Sequence, residues 1–261
     1  MKLLSRSLAL VSTALVSTLS SFAALALPPA QVRSTLAPIP VYTIADGEGK
    51  PLIANVPSAN NPNVTESIAG VFISRQDADA FLNRLRSNNP QLASTVRVVP
   101  VSLAEINDLA NQSREQPNPI IFTFIPQAAQ VEQAMAILRQ ANPNVPRFEG
   151  VPLFAARTTQ DQGYLTVTLE NRQVIPFFFE REQLQELVDR FRSEQPNLAN
   201  NIQIQVIPLE GVIQTLQQSN NPELARIVLW PSREALQFLL SQPRSTPQPS
   251  PTPRVSPSPS R

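Results

Sequence analysis

The sequence lacks the side chains that most catalytic and metal sites require. It contains no cysteine and no histidine, and after residue 26 its only lysine is Lys50. Histidine is the commonest general base, histidine and cysteine are the usual soft metal ligands, and serine nucleophiles need a basic partner. The chain also has only six glycines, which leaves little material for a phosphate-binding loop. We therefore expect no catalytic residues, no cofactor, no metal site and no enzymatic activity.

Carboxylates are the one remaining route to catalysis, because two of them suffice for glycoside hydrolysis. The acidic residues of this chain mostly stand beside arginines on predicted helix faces, a pattern that is typical of a solvated surface. They include Asp77, Asp79, Glu182, Glu186 and Asp189. A carboxylate-based enzyme or a solute-binding protein is therefore the least favoured of three hypotheses about function.

The basic charge that nucleic-acid binding requires is also missing. Of the 21 basic residues, two precede residue 27 and three follow residue 242, which leaves 16 in between. All 20 acidic residues lie between 27 and 242, so this body carries a net charge of 16 − 20 = −4. Nucleic-acid binding needs a basic surface that displaces counterions from phosphate. We expect no nucleic-acid partner.

The first 26 residues have the pattern of a secretory signal peptide. Lys2 and Arg6 precede an apolar stretch that ends in the small-x-small sequence Ala24-Leu25-Ala26. This arrangement predicts cleavage after Ala26 and an exported chain. A retained membrane anchor is the alternative, but the stretch is interrupted by serines and threonines. No later segment is apolar enough to span a membrane, so the mature chain is expected to have no transmembrane segment. The destination is the periplasm, with the thylakoid lumen as the alternative.

Two segments of the chain match each other at an offset of 106 residues. Seven identities and one apolar helix face with i, i+3, i+4, i+7 spacing are preserved between them. The identities join Arg75, Arg84, Arg86, Ser87, Pro90, Leu92 and Ala93 to Arg181, Arg190, Arg192, Ser193, Pro196, Leu198 and Ala199. Chance matching would not preserve helix phase and identities together. The pattern therefore indicates a duplicated structural unit.

Each copy predicts the same order of elements, with three strands and then alternating helices and strands. In the first copy the predicted strands are 41–44, 52–56, 68–73, 95–101 and 120–125, and the helices are 75–87, 103–112 and 127–140. In the second copy the strands are 152–156, 164–169, 174–179, 202–207 and 227–230, and the helices are 181–193, 209–218 and 232–241. Ser74 and Asp77 resemble a capping box, and Pro90 is expected to stop the first helix.

These patterns predict an α/β protein (a mixed α+β sheet) of two tandem homologous units. Apolar runs without alternation, such as 120–125, favour sheet that helices cover on both faces. The two units are expected to be related by an internal pseudo-twofold axis. The predicted segments are a signal peptide 1–26, a linker 27–35, a first unit 36–147, a second unit 148–242, and a disordered tail 243–261 rich in Pro and Ser.

Aromatic side chains in the second unit are the candidates for a binding surface. Phe177, Phe178 and Phe179 place rings on both faces of one predicted strand, and Phe154 and Trp230 add further apolar bulk nearby. An ordinary core and an exposed groove both explain such a cluster. These five residues form the candidate polypeptide-binding site.

Three segments carry a resemblance to a known family. They are residues 36–44 (LAPIPVYTI), 72–78 (FISRQDA) and 151–154 (VPLF). Together with the duplication, they resemble the Tic 22-kDa family of the chloroplast inner-envelope translocon, specifically its cyanobacterial relatives, over about 36–240. The resemblance implies a two-lobed body with apolar pockets that resides in the intermembrane space or periplasm. It also implies binding of preproteins or outer-membrane proteins and cooperation with Omp85-type β-barrel machinery. The family has no catalytic residues to carry over.

Two hypotheses therefore lead. The first is a periplasmic chaperone-like protein that binds unfolded or precursor polypeptides in protein transport and outer-membrane biogenesis. The second is a non-catalytic adaptor that docks on an Omp85-type membrane complex and holds no client. The first predicts many unfolded partners, whereas the second predicts one folded partner.

Overall fold

The computed structural model describes residues 27–58, 61–159, 163–195 and 201–242. The predicted signal peptide with its cleavage position at Ala26, and the predicted tail 243–261, lie outside these ranges. Within them no helix combines the length and the apolar character needed to cross a membrane.

The elements up to residue 141 form one five-stranded sheet with helices. They are α1 (Pro29–Leu36), β1 (Pro40–Ala45), β2 (Ile53–Pro57), β3 (Thr65–Phe72), α2 (Arg75–Asn88), α3 (Pro90–Thr95), β4 (Arg97–Ser102), α4 (Leu103–Arg114), β5 (Ile120–Ile125) and α5 (Ala128–Ala141). The strand β3 lies between β1, which pairs antiparallel to it, and β5, which pairs parallel to it. β4 pairs antiparallel with the other edge of β1, and β2 continues the pairing along β3.

The elements from residue 152 form a second sheet with the same strand order. They are β6 (Pro152–Thr158), β7 (Val167–Leu169), β8 (Arg172–Phe178), α6 (Arg181–Glu194), β9 (Ile202–Pro208), α7 (Leu209–Gln218), a 3-10 turn (Pro222–Arg226), β10 (Ile227–Trp230) and α8 (Arg233–Ser241). Here β8 lies between antiparallel β6 and parallel β10, β9 pairs with β6, and β7 pairs with β8. The predicted mixed α/β class is confirmed, with two mainly antiparallel sheets.

Alternation along the strands divides the buried side chains among three clusters. Successive side chains of a strand point to opposite faces of its sheet. In β1, Val41 belongs to a central cluster, whereas Tyr42 belongs to an outer cluster beneath α2 and α3. In β6, Leu153 belongs to the same central cluster, whereas Phe154 belongs to a second outer cluster beneath α5 and α6. The central cluster, which α1, α4 and α7 also enter, therefore joins both sheets into one core.

The last helix of each sequence half packs on the sheet of the other half. α5 contacts β6 and β9, and its Ala134 is fully buried in the outer cluster of the second sheet. α8 contacts β1, where the rings of Phe238 and Tyr42 meet edge to face at 6.0 Å. Both helices also accept a hydrogen bond from the first turn of the helix that they meet. Gln130 Oε1 accepts from the backbone N–H of Arg181, and Glu234 Oε1 accepts from that of Gln76.

Local side-chain caps explain why several helices begin where they do. Ser74 Oγ accepts from the backbone N–H of Asp77, which is one of the two hydrogen bonds of the predicted capping box. A complete capping box, which the sequence analysis missed, joins Ser102 and Glu105 at the start of α4. Each cap satisfies backbone donors that have no partner within the first helical turn.

Three features of the fold correct the sequence-based expectations. The residues assigned to a linker, 27–35, include most of α1, which two apolar side chains anchor in the central cluster. Pro90 opens a second helix, α3, instead of only stopping α2, because Asn89 caps the new helix and Pro is well suited to a first helical position. β5 was expected to be covered on both faces, yet its burial alternates. In the described residues β5 pairs only with β3, and Ile121 and Thr123 are exposed.

The contact of Gln130 with α6 should contribute measurably to the free energy of unfolding, because it holds α5 on the sheet of the other sequence half. Gln130 is buried, accepts from Arg181 N–H at 3.0 Å and donates to Glu182 Oε2 at 2.9 Å. Gln130→Ala leaves both partners without that bond, so we expect the free energy of unfolding to fall by about 1–3 kcal/mol. The matched control is Gln140→Ala, an exposed position of the same helix, which should change it by less than about 0.5 kcal/mol. Equal effects of the two substitutions in urea denaturation would contradict a stabilising role for this contact.

Candidate functional site

The structure places four of the five candidate aromatic residues in the core. Phe154 is fully buried, and Phe177, Phe178 and Phe179 are each no more than 5% exposed. Phe177 and Phe179 belong to the central cluster, and Phe154 and Phe178 belong to the outer cluster of the second sheet. Trp230 is half-buried and packs against that outer cluster. Phe154, Phe177 and Phe179 therefore offer no open surface for another polypeptide in this conformation.

Phe178 and Trp230 border a cavity of about 480 Å³, which we call the Trp230 cavity. Their rings lie 5.6 Å apart at an interplanar angle of 37°. The cavity lies among β7, β8, the start of α8 and one face of α6. Its lining consists of Val167, Thr168, Leu169, Pro176, Phe178, Gln183, Glu186, Leu187, Arg190, Trp230, Arg233 and Leu236. A mainly apolar cavity of this size with a few polar groups is typical of a binding site.

The polar groups of the Trp230 cavity are not all satisfied. Gln183 is 8% exposed, and its Oε1 has no hydrogen-bond partner among the described residues. Arg233 donates to Glu186, so these two charges at the cavity are paired with each other. Burial raises the pKa of nearby Glu180, whose carboxylate accepts the backbone N–H of Arg233. The Oε1 atom is itself almost fully buried, so it does not face the open space of the cavity in this conformation.

A larger cavity of about 760 Å³ lies where β5 meets α4 and α7, and we call this place the β5 corner. α4 and α7 are joined there by a hydrogen bond of 2.8 Å from Gln217 Nε2 to Asn107 Oδ1. The residues around the cavity are Ile106, Asn107, Ala110, Arg114, Phe122, Thr123, Phe124, Glu149, Gly150, Pro208, Glu210, Gly211, Ile213, Gln214, Gln217 and Gln218. Apolar side chains of β5 and α4 thus face amide side chains of α7.

Glu210 is the acidic group of the β5 corner that has no basic partner in the described structure. Its Oε2 accepts the backbone N–H of Val151 at 3.2 Å, and burial raises the pKa of its carboxyl group. The other acidic residue of the cavity, Glu149, accepts two hydrogen bonds from Arg147. Gly150 adopts a φ of +86°, and a Cβ there would collide with the Glu210 carboxylate. The glycine therefore makes room for the half-buried acid.

Sequence reasoning found two of the twelve residues that line the Trp230 cavity and none of the β5 corner. Phe178 and Trp230 were candidates because of their size, whereas Gln183 carried no signal that separates it from other helix glutamines. The β5 corner combines residues more than 80 positions apart, namely β5 and α7. Its one sequence signal was the strand 120–125. Five of the six residues of this strand are apolar, although none of them is fully buried.

Comparison with known proteins identifies the family by sequence. A profile of the Tic22-like family matches residues 4–241. "Protein TIC 22-like, chloroplastic" of Arabidopsis thaliana is 24% identical over 204 residues, which cover 77% of this chain and 60% of that protein. "Protein TIC 22, chloroplastic" of Pisum sativum is 26% identical over 193 residues, which cover 74% and 69%. The chain thus spans less than two thirds of the Arabidopsis relative's length.

Solved structures give the same result. The chain superposes on Anabaena Tic22, a protein-transport protein, with a TM-score of 0.74 and 32% sequence identity, and the match covers 84% of this chain and 100% of that one. Tic22 from Plasmodium falciparum matches with a TM-score of 0.58 at 19% identity, which supports the fold alone. The resemblance seen in the sequence is confirmed, and this chain belongs to the Tic22-like family, which is implicated in protein transport.

Proposed function

We propose that this protein is a periplasmic, chaperone-like protein that binds unfolded or precursor polypeptides during protein transport and outer-membrane biogenesis. The protein-transport role of the Anabaena relative supports the general role. The predicted signal peptide supports export, and the absence of histidine and cysteine from the sequence supports binding without catalysis.

The observation that carries this proposal is the Trp230 cavity. Its apolar walls can cover side chains of an unfolded segment, and the half-buried Trp230 ring provides contact area at low conformational cost. A site that acts mainly through apolar contact accepts extended chains without demanding a particular sequence.

We also propose that the two sequence halves, 36–147 and 148–242, are homologous units related by a pseudo-twofold axis. The identical strand order of the two sheets and the reciprocal packing of α5 and α8 support this relation.

Photocrosslinking in intact cells tests the proposed function. A benzophenone amino acid replaces Trp230, and the control replaces Val64, which is 49% exposed beside the other sheet. We expect crosslinks from position 230 to many unfolded outer-membrane precursors and few from position 64. A single stoichiometric partner such as an Omp85-type β-barrel protein would favour the adaptor instead. No crosslink above the Val64 control, together with no suppression of aggregation of an unfolded outer-membrane protein at equimolar ratio, would overturn the proposal.

A further inference from the structure

The helix pair α4 and α7 has two sides, and α1 occupies one of them. α1 contacts α4, α7 and β10, and it buries Val32 and Leu36, which are 4% and 0% exposed. Its Arg33 forms an ion pair with Asp108 of α4. α1 is therefore a short amphipathic helix, held by an apolar pair at i, i+4 and by one basic residue beside that pair.

The β5 corner is built from the corresponding elements around the same helix pair. β5 and β10 are the strands that pair parallel to β3 and β8 in their respective sheets, so they hold the same place in the strand order. α1 lies where β10 meets α4 and α7, and the 760 Å³ cavity lies where β5 meets α4 and α7. Among the described residues α4 packs against β5, and the cavity lies between these two elements and α7. The chain itself thus shows which kind of element fits such a place.

The lining of the β5 corner suits an amphipathic segment of the same character. Phe122 and Phe124 line the cavity and are only half-buried, so they present apolar surface to an occupant. Glu210 carries the acidic group without a basic partner, and Arg114, which donates to Asn111 Oδ1, also lines the cavity. Complementary charge on an occupant therefore means a basic residue near Glu210, as Arg33 of α1 provides for Asp108.

The C-terminal segment of the chain does not supply such an element. Residues 243–261 contain seven prolines and one large apolar residue, Val255. Proline is strongly unfavourable in a helix interior, and a single valine gives no apolar pair at i, i+4. The occupant is therefore sought in another polypeptide.

We propose that the β5 corner binds a short amphipathic helical segment of a client polypeptide, one with an apolar pair at i, i+4 and a basic residue beside it. This inference rests on the proposed function and adds to it a second site with a defined kind of ligand. The Trp230 cavity receives extended segments, whereas the β5 corner receives helical ones.

A peptide with the sequence of α1 is the probe for this site. A peptide of Pro29–Leu36 is too short to be helical alone, so a covalent staple joins the positions of Ala30 and Ser34, which are both exposed in α1. Fluorescence anisotropy measures its binding to the full-length protein. The control peptide replaces the residues equivalent to Val32 and Leu36 with serine. We expect micromolar binding of the probe and at least a tenfold loss for the control peptide.

Three protein variants locate the binding site. Ala110→Trp fills the β5 corner and should weaken probe binding at least tenfold. Leu109→Trp, at a neighbouring, 45% exposed position of α4 outside the cavity lining, should leave it within twofold. Glu210→Gln keeps an acceptor for Val151 N–H and removes the charge. It should weaken the probe severalfold, but should have no effect on a peptide whose arginine is replaced by glutamine. Melting temperatures show whether each variant is folded.

Several outcomes would overturn the inference. Binding that Ala110→Trp and Glu210→Gln both leave unchanged would do so, as would crosslinks from the peptide to β10 instead of β5. Binding that appears only after removal of residues 1–26 would assign the corner to the chain's own N-terminal segment, and self-association that Ala110→Trp abolishes would assign it to a second copy.

If the probe fails to bind while aggregation of a client is still suppressed, the β5-corner inference fails and the proposed function stands. If the probe binds as expected but no client is held, the proposed function fails separately.

Discussion

Phe154→Ala is expected to lower the free energy of unfolding by about 3–5 kcal/mol. Phe154 is fully buried in β6, directly opposite Phe178 of β8, and both rings lie beneath α5 and α6. Removing the ring leaves a cavity that the surrounding strands and helices can only partly close. Because a domain is typically stable by only about 5–15 kcal/mol, such a loss is a large fraction of the total.

The measurement is urea denaturation followed by circular dichroism, with Leu240→Ala as the control. Leu240 is 80% exposed, so truncating it should change the free energy of unfolding by less than about 0.5 kcal/mol. The sequence makes Phe154 a candidate for client binding. If it were an exposed binding residue, its truncation would reduce client binding and leave the free energy of unfolding unchanged. Unchanged stability of Phe154→Ala together with reduced client binding would contradict its place in the core. Lost stability with client binding retained at low temperature would support it.

The sequence pattern predicted most elements because alternation and helical spacing are local signals. β1, α4, β5 and α7 lie within two residues of their expected bounds at both ends. α1 was missed because Val32 and Leu36 are its only buried side chains, too few to establish a helical period. α3 was missed because Pro90 is compatible both with ending one helix and with beginning another.

The partner of each amphipathic helix was beyond sequence reading. The apolar face of α5 shows that this helix is buried, but it does not show that the helix covers β6 and β9 instead of the sheet formed by its own half. The same limit applies to the aromatic candidates, because an apolar strand in a core and one in a groove have the same composition. The β5 corner is built from β5, α4 and α7, so it was visible only once the relative positions of these elements were known.

The role of α1 gives the second large expected effect, in Val32→Asp. Val32 is 4% exposed in the central cluster, where an introduced carboxylate has no basic partner and would lose its hydration. An uncompensated buried charge costs about 3–5 kcal/mol, so we expect a loss of that order in the free energy of unfolding, or undocking of α1 if undocking costs less. The matched control is Ser34→Asp, which places the same side chain on the exposed side of the same helix and should change stability by less than about 0.5 kcal/mol. Hydrogen exchange separates the two responses, because undocking removes protection from α1 and from the facing sides of α4 and α7 while β6 and β8 stay protected. Equal, small effects of both substitutions would mean that 27–35 is the linker that the sequence suggested, and would remove α1 as the precedent for what the β5 corner binds.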